Sequence, residues 1–138
     1  MDLYLFCYDK LDTLIKNISE YVRETIGEKV KIREDESDDY YIIYISCSLY
    51  CIVVESSDTC DMKFIKEDYG AEVNVCLEIN LYGNYYDAGL ENVSKMIKRL
   101  ADIYKGDLIF LDDCSVLKYR KTKDMYIDNE FWNGLLDD

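Results

Sequence analysis

Apolar residues recur along this chain with two spacings, one typical of helices and one typical of strands. Two segments, 10–26 and 87–104, carry apolar residues every three or four positions, as one buried helix face requires. The first follows Asp9, a candidate N-cap, and is followed by Gly27, a helix stop. Gly106 comes after the second segment in the same way. The sequence therefore predicts two amphipathic helices.

The other apolar segments are short, and several alternate apolar with polar residues, as strands with one buried face do. Strands are predicted at 3–8, 28–33, two within 40–55, 72–81, 108–111, 116–120 and 125–127. The run Leu108–Leu111 is wholly apolar, which is typical of a central strand buried on both faces. We expect an acidic turn at 34–39, a polar irregular stretch at 56–69 and an acidic tail after Trp132.

This order of elements predicts an α+β fold. Two helices would pack on one face of a mostly antiparallel sheet, which makes a two-layer sandwich. The opposite face of the sheet would stay open to a partner. We find no repeat and no linker, so a single domain is expected over 1–138.

Charge adds a functional expectation to this fold. The chain has 29 Asp and Glu against 16 Lys and Arg, a net charge of -13, together with 14 tyrosines. Residues 28–70 carry 11 acids and 5 bases, whereas 87–107 is balanced at 4 of each. Such a surface repels nucleic acid and anionic membranes and attracts basic proteins. Tyrosine supplies the contact area that interfaces favour. We therefore expect a basic protein partner, and neither nucleic acid nor membrane.

Catalytic chemistry finds little support in the sequence. There is no histidine, which excludes Ser-His-Asp and Cys-His systems, and there is no phosphate-binding glycine loop. The spacing of Asp35, Ser37 and Asp39 lacks the glycine and distal glutamate of a calcium loop. Six scattered cysteines without a C-x-x-C pair are predicted to be free thiols. We expect no enzyme activity, catalytic residue, metal or cofactor, and a carboxylate enzyme with a divalent metal is kept as an alternative.

Location follows from what the sequence lacks. No apolar run reaches the roughly 18 residues of a membrane-spanning helix. The first residues, Met1–Tyr4, have neither the basic nor the apolar segment of a secretory signal. A cytoplasmic protein is the expectation.

Several segments together resemble one protein family. They are Leu3-Tyr4-Leu5 before the first helix, Tyr69-Gly70-Ala71-Glu72-Val73 before the alternating strand, Lys105-Gly106-Asp107-Leu108-Ile109-Phe110, Val116-Leu117-Lys118-Tyr119-Arg120, and the aromatic close Phe131-Trp132. Over about half of the chain, these features resemble bacterial immunity proteins of the swarming-inhibition toxin–immunity type. The resemblance implies a cytoplasmic protein that neutralises a cognate toxin, and it carries over no binding residue.

Charge and resemblance lead to the same expectation, an immunity protein that binds a basic, nuclease-like toxin and blocks its active site or substrate groove. Nucleases are basic because they hold phosphates. The residues predicted to contact the toxin are Asp35, Glu36, Asp38, Asp39, Tyr40, Tyr44, Glu72, Glu78, Asp112 and Asp113. The alternative is an acidic nucleic-acid mimic that inhibits a host-defence or restriction protein. The sequence leaves the oligomeric state open.

Overall fold

Eight antiparallel strands form one sheet in the part of the chain that the structure describes. This computed structural model describes residues 1–36, 41–56, 62–113, 117–122 and 125–128. The strands are β1 (Asp2–Leu5), β2 (Lys31–Glu36), β3 (Tyr41–Ser46), β4 (Tyr50–Ser56), β5 (Val75–Leu81), β6 (Leu108–Leu111), β7 (Leu117–Thr122) and β8 (Met125–Asp128). Their order across the sheet is β2-β3-β4-β5-β1-β6-β7-β8. The first strand of the chain therefore lies inside the sheet, between β5 and β6.

Two long helices, α1 (Leu11–Ile26) and α3 (Tyr86–Ile103), pack on one face of this sheet. Their buried residues recur at helical spacing and meet alternate residues of the strands, so the two layers enclose one core. The buried helix residues are Leu14, Ile15, Ile18, Tyr21 and Val22 of α1, and Val93, Met96, Ile97, Leu100 and Ala101 of α3. The predicted α+β sandwich, with both predicted helices on one face, is confirmed.

The predicted boundary residues of α1 are right at its C-terminus and wrong at its N-terminus. Gly27 follows the helix with φ of 81°, a left-handed conformation that suits glycine, and its N–H donates to the Arg23 carbonyl at 3.0 Å. The predicted stop is therefore confirmed. The predicted cap is wrong by one residue, because Lys10 occupies the N-cap position and its side chain makes no capping hydrogen bond. Asp9 lies one residue before the position from which a side chain caps a helix.

The end of α3 is closed by a lysine from β7. Lys121 Nζ donates to the carbonyl of Tyr104 at 2.7 Å and to that of Ala101 at 2.5 Å. Burial lowers the pKa of Lys121, while the carbonyl ends of a helix favour a cation. Gly106 has another role, because a Cβ at this position would lie 2.8 Å from Cβ of Phe6. This glycine permits close packing of two loops.

A third helix, α2 (Lys63–Tyr69), lies on the opposite face of the sheet. The expectation that this face stays open is therefore wrong where α2 packs on it. Ile65 is fully buried there in a cluster with Tyr4, and the ring of Phe64 meets the Tyr4 ring edge-on at 5.7 Å. The prediction of an irregular stretch at 56–69 is thus wrong for this helix. A short helix with one buried residue shows no repeating apolar pattern, so periodicity does not predict it.

Strand boundaries differ from the predictions where charged residues take part in pairing. The pairing of β2 with β3 continues from Lys31 to Glu36, so Glu34–Glu36 belong to a strand and not to a turn. Edge strands tolerate charged side chains because one side of the strand meets solvent. β5 begins at Val75, three residues after the predicted start.

Some predictions fall outside the described residues. These are residues 37–39 of the predicted acidic turn at 34–39, the segment 57–61, the aromatic close at Phe131 and Trp132 with the tail that follows, and Cys60 and Cys114. The four described cysteines, Cys7, Cys47, Cys51 and Cys76, are free thiols, as predicted.

A hydrogen-bonded group connects α1, α3 and β4. Tyr50 Oη donates to Asn92 Oδ1 at 2.6 Å, and Tyr21 Oη donates to the Asn92 carbonyl at 2.8 Å. Asn92 Nδ2 donates in turn to Thr25 Oγ1 at 2.9 Å. Burial raises the pKa of Tyr21 to about 12, so this phenol stays a donor at neutral pH. The group links both helices to the sheet through polar contacts.

We expect Asn92→Ala to lower the free energy of unfolding by about 1–3 kcal/mol, since it removes the side-chain acceptor of the buried Tyr50 hydroxyl. Urea unfolding measures the change. The double variant Asn92→Ala/Tyr50→Phe removes both partners and should recover part of the loss. If the free energy of unfolding of the double variant falls by the sum of the two single-variant losses, the hydrogen bond is not what stabilises this junction.

Candidate functional site: an acidic concavity on the open sheet face

The face of the sheet opposite α1 and α3 carries a row of aligned side chains across five strands. Arg33 of β2 is paired with Tyr44 of β3, and Tyr44 with Val53 of β4. Val53 is paired with Glu78 of β5, which is paired with Asp2 of β1. Directly paired residues of antiparallel strands point to the same side. We call this surface, from Arg33 to Asp2, the open face.

One end of the open face is a concave site of about 370 Å³, which we call the acidic concavity. It is lined by Met1, Asp2, Tyr4, Glu55, Cys76, Glu78, Asn80, Asp112 and Asp113. Five of these nine residues are carboxylates, and none of the nine is Lys or Arg. They come from four parts of the fold, namely β1, β4, β5 and the turn after β6. The order of the strands thus collects carboxylates that are far apart in sequence.

Like charges lie close together in the acidic concavity. Asp2 and Glu78 are directly paired residues on neighbouring strands, an arrangement that costs stability when both are ionised. Burial raises the pKa of Asp2, and the nearby charges of Glu78 and Asp113 raise it further, while the N-terminal ammonium acts in the opposite direction. This ammonium, on Met1, lies 2.7 Å from Asp113 Oδ1 and donates to the Ile79 carbonyl at 3.2 Å. The site therefore already holds one cationic group at its rim.

The other end of the open face is aromatic and amphipathic. The guanidinium of Arg33 lies over the ring of Tyr44, 4.2 Å from its centroid, and 3.6 Å from a carboxylate oxygen of Asp35. Tyr44, Val53 and Ile42 are half-buried, so apolar and aromatic area remains accessible. Strands lie about 4.8 Å apart, which puts Tyr44 about 10 Å from Glu78. An acidic and an aromatic part thus share one surface.

The structure brings together some of the predicted contact residues and separates others. Glu78, Asp112 and Asp113 line the acidic concavity. Tyr44 and Asp35 lie on the same face, toward the β2 edge. These five residues form one continuous surface.

Of the remaining predicted residues, two lie elsewhere in the fold and three are outside the described part of the chain. Glu36 alternates with Asp35 on β2 and therefore points to the helix side of the sheet. Glu72 precedes β5 and forms an ion pair with Lys66 of α2 at 2.7 Å. Its backbone N–H donates to Asp107. Asp38, Asp39 and Tyr40 lie outside the described residues.

Sequence reasoning missed Asp2 and Glu55 in the acidic concavity. The alternation of Asp2-Leu3-Tyr4-Leu5 was the available signal for Asp2, because Leu3 and Leu5 are in the core, and Asp2 and Tyr4, which alternate with them, point to the other side of the sheet. Glu55 ends β4 and has no comparable signal. Its place depends on the register that pairs it with Cys76.

The raised pKa of Asp2 predicts a pH dependence. An acid whose pKa is raised by folding binds its proton more tightly in the folded state. The free energy of unfolding therefore falls as the pH rises from the unfolded-state pKa of Asp2 through its higher folded-state pKa. At neutral pH the ionised carboxylate opposes folding. We expect Asp2→Asn to raise the free energy of unfolding at pH 7, by up to about 1 kcal/mol, mainly because a half-buried carboxylate no longer has to stay ionised away from water. At about pH 3, below the ordinary carboxyl pKa, the gain should disappear.

Urea unfolding at both pH values measures this difference, and Asp68→Asn, at an exposed position in α2, is the matched control. A gain of equal size at both pH values would contradict the electrostatic origin.

The described residues contain neither a metal-binding cluster nor a helix that could cross a membrane. Within them, no group of three or more His, Cys, Asp or Glu side chains is placed to hold a metal ion. None of the described helices has both the length and the apolar character needed to cross a bilayer. Comparison of the chain with known protein families, curated proteins and solved structures gives no match.

Proposed function

We propose that this protein is a bacterial immunity protein that binds and neutralises a cognate basic toxin domain, most simply a nuclease. The observation that carries the proposal is the acidic concavity, in which Asp2, Glu55, Glu78, Asp112 and Asp113 converge on one open face. Lysine or arginine side chains of the toxin would enter this concavity. The toxin would then lose the basic groups that hold its nucleic acid.

The energetics of the acidic concavity support a cationic partner. Carboxylates such as Asp2 and Glu78, paired across neighbouring strands, reduce the stability of the free protein. A cation placed between them would relieve this repulsion and gain charge-assisted hydrogen bonds. The free energy of binding would therefore include the repulsion present in the free state. The net charge of -13 would also accelerate encounter with a basic protein at low salt.

The aromatic part of the open face supports a protein partner over a small cation. Tyr44, Val53 and Ile42 are half-buried and adjacent to the acidic concavity along the row. Apolar and aromatic side chains beside charged groups are typical of interface centres, where a few residues supply most of the affinity. A single metal ion or small amine would leave this part uncovered.

Co-expression tests the proposed function. The protein is produced together with the product of the gene immediately upstream, and growth is compared with that of cells expressing the upstream product alone. We expect rescue of growth and a complex that copurifies. A toxic upstream product that this protein neither binds nor neutralises would refute the pairing and with it the proposed function.

A further inference from the structure

β2 lies at one edge of the sheet, and its outer side meets no other described strand. Among the described residues it pairs only with β3. An edge strand presents a row of backbone N–H and C=O groups that can pair with another strand. Five of the six residues of β2 are exposed, and the sixth, Asp35, is half-exposed. β2 is therefore accessible along its whole length.

The charges of β2 are divided between its two halves. Lys31 and Arg33 are in the first half, and Glu34, Asp35 and Glu36 make up the second. We propose that β2 pairs with β2 of a second copy of this chain in antiparallel orientation. Reversal of direction brings the basic residue Arg33 of each strand opposite an acid of the other. This charge complementarity selects a second copy as the occupant of the edge.

Geometry limits how two copies can pair. A two-fold axis perpendicular to the sheet is the symmetry that joins identical edges in antiparallel orientation, and it keeps equivalent faces on the same side. In the register centred on Glu34, Arg33 of each copy lies opposite Asp35 of the other, on the open face. The two Glu34 residues face each other on the axis, on the helix side of the sheet, so the two arginine–aspartate pairs must outweigh this one repulsion. Arginine and carboxylate can form bidentate hydrogen bonds, which favours this register over one that places Lys31 opposite Asp35. Two such pairs form, one on each side of the axis.

An apolar surface beside β2 would be covered by the same pairing. Ile32 is 49% exposed, although its side chain lies on the helix side of the sheet. With Val30 and the side chains of Lys16 and Arg23, it lines a groove of about 350 Å³ between α1 and β2. The two-fold axis would bring the grooves of both copies next to each other. The dimer would thus bury Ile32, which the monomer leaves half in water.

The two-fold pairing of β2 would place both toxin-binding surfaces of the dimer on the same side. Because equivalent faces stay on the same side, both acidic concavities would lie on one side of a continuous sheet of sixteen strands, twice the eight that the described residues of one copy form. The net charge of -13 on each copy opposes association, so the dimer depends on the local pairs of Arg33 and Asp35. It should therefore be sensitive to reversal of a single β2 charge.

Sedimentation equilibrium over a range of protein concentrations tests the proposal. We expect a concentration-dependent dimer, and Arg33→Asp should raise its dissociation constant about tenfold or more, since it replaces two opposite-charge pairs by like-charge pairs. The double variant Arg33→Asp/Asp35→Arg exchanges the charges and should restore most of the affinity. Lys98→Asp, the same charge change at an exposed position of α3, is the matched control and should leave the dimer unchanged.

Two results would overturn the proposal. One is a protein that stays monomeric up to about 1 mM, the concentration at which only the weakest specific association is detectable. The other is a dimer that the charge exchange fails to restore. If β2 amides of a monomeric protein become protected from hydrogen exchange only when the toxin is added, the edge belongs to the toxin interface and the self-pairing is wrong.

Discussion

Changing Glu78 to lysine should weaken toxin binding by about a hundredfold while leaving the fold as stable or slightly more stable. Glu78 lies in the acidic concavity, where this meets the aromatic part of the open face, and is paired with Asp2 on one side and Val53 on the other. Loss of a charge pair at the centre of an interface costs about 3 kcal/mol, which corresponds to about a factor of 100. In the free protein the same change replaces repulsion between Glu78 and Asp2 by attraction.

The opposite signs of the two effects make this prediction specific. Isothermal titration calorimetry with the purified toxin domain measures affinity, and urea unfolding measures stability. Glu91→Lys is the matched control, because Glu91 is an exposed residue of α3 in the helix layer, and its ion partner Lys95 is also at the surface. We expect it to bind normally. Unchanged affinity of Glu78→Lys, or an equal loss in both variants, would remove Glu78 from the interface.

Phe110→Ala should lower the free energy of unfolding by about 3–5 kcal/mol. Phe110 lies in β6, is fully buried, and is paired with Leu3 of the neighbouring β1. Its removal leaves a cavity where the helix layer meets the central strands, and the surrounding β-sheet cannot close it without breaking pairing. Domains of this size are stable by about 5–15 kcal/mol, so this loss is a large fraction of the total free energy of unfolding.

Phe64→Ala is the matched comparison for this loss, because the Phe64 ring is 38% exposed and makes an edge-on contact with Tyr4. We expect it to cost about 1 kcal/mol, the size of one aromatic pair. Thermal and urea unfolding of both variants give the comparison. Equal losses of the free energy of unfolding in the two variants would indicate that Phe110 contributes no more to stability than the exposed Phe64.

Local patterns were sufficient to predict most elements of the fold. The wholly apolar run of β6 is buried along its length, and both helices with a repeating apolar stripe are present. α2 is the helix that local patterns do not predict. Its one fully buried residue, Ile65, packs against the sheet through contacts that form only once the strands are assembled. Tertiary packing, and not sequence periodicity, determines that helix.

The candidate site was less predictable than the fold, because its geometry depends on strand order. Glu78, Asp112 and Asp113 could be named as acidic positions from the sequence, but nothing local brings them together. β1 inserts between β5 and β6 and connects them through Asp2. Glu55 enters the same concavity from β4. Register and strand order are non-local properties, which is why Asp2 and Glu55 were missed.

Methyl NMR of the protein with and without the purified toxin tests most directly whether the toxin binds the open face. Ile42 and Val53 lie on that face beside the acidic concavity, whereas Val30 and Leu49 pack against the core on the helix side. We predict that the methyl signals of Ile42 and Val53 shift or broaden on binding while those of Val30 and Leu49 do not. Shifts confined to the helix-side methyl groups would contradict the proposed interface.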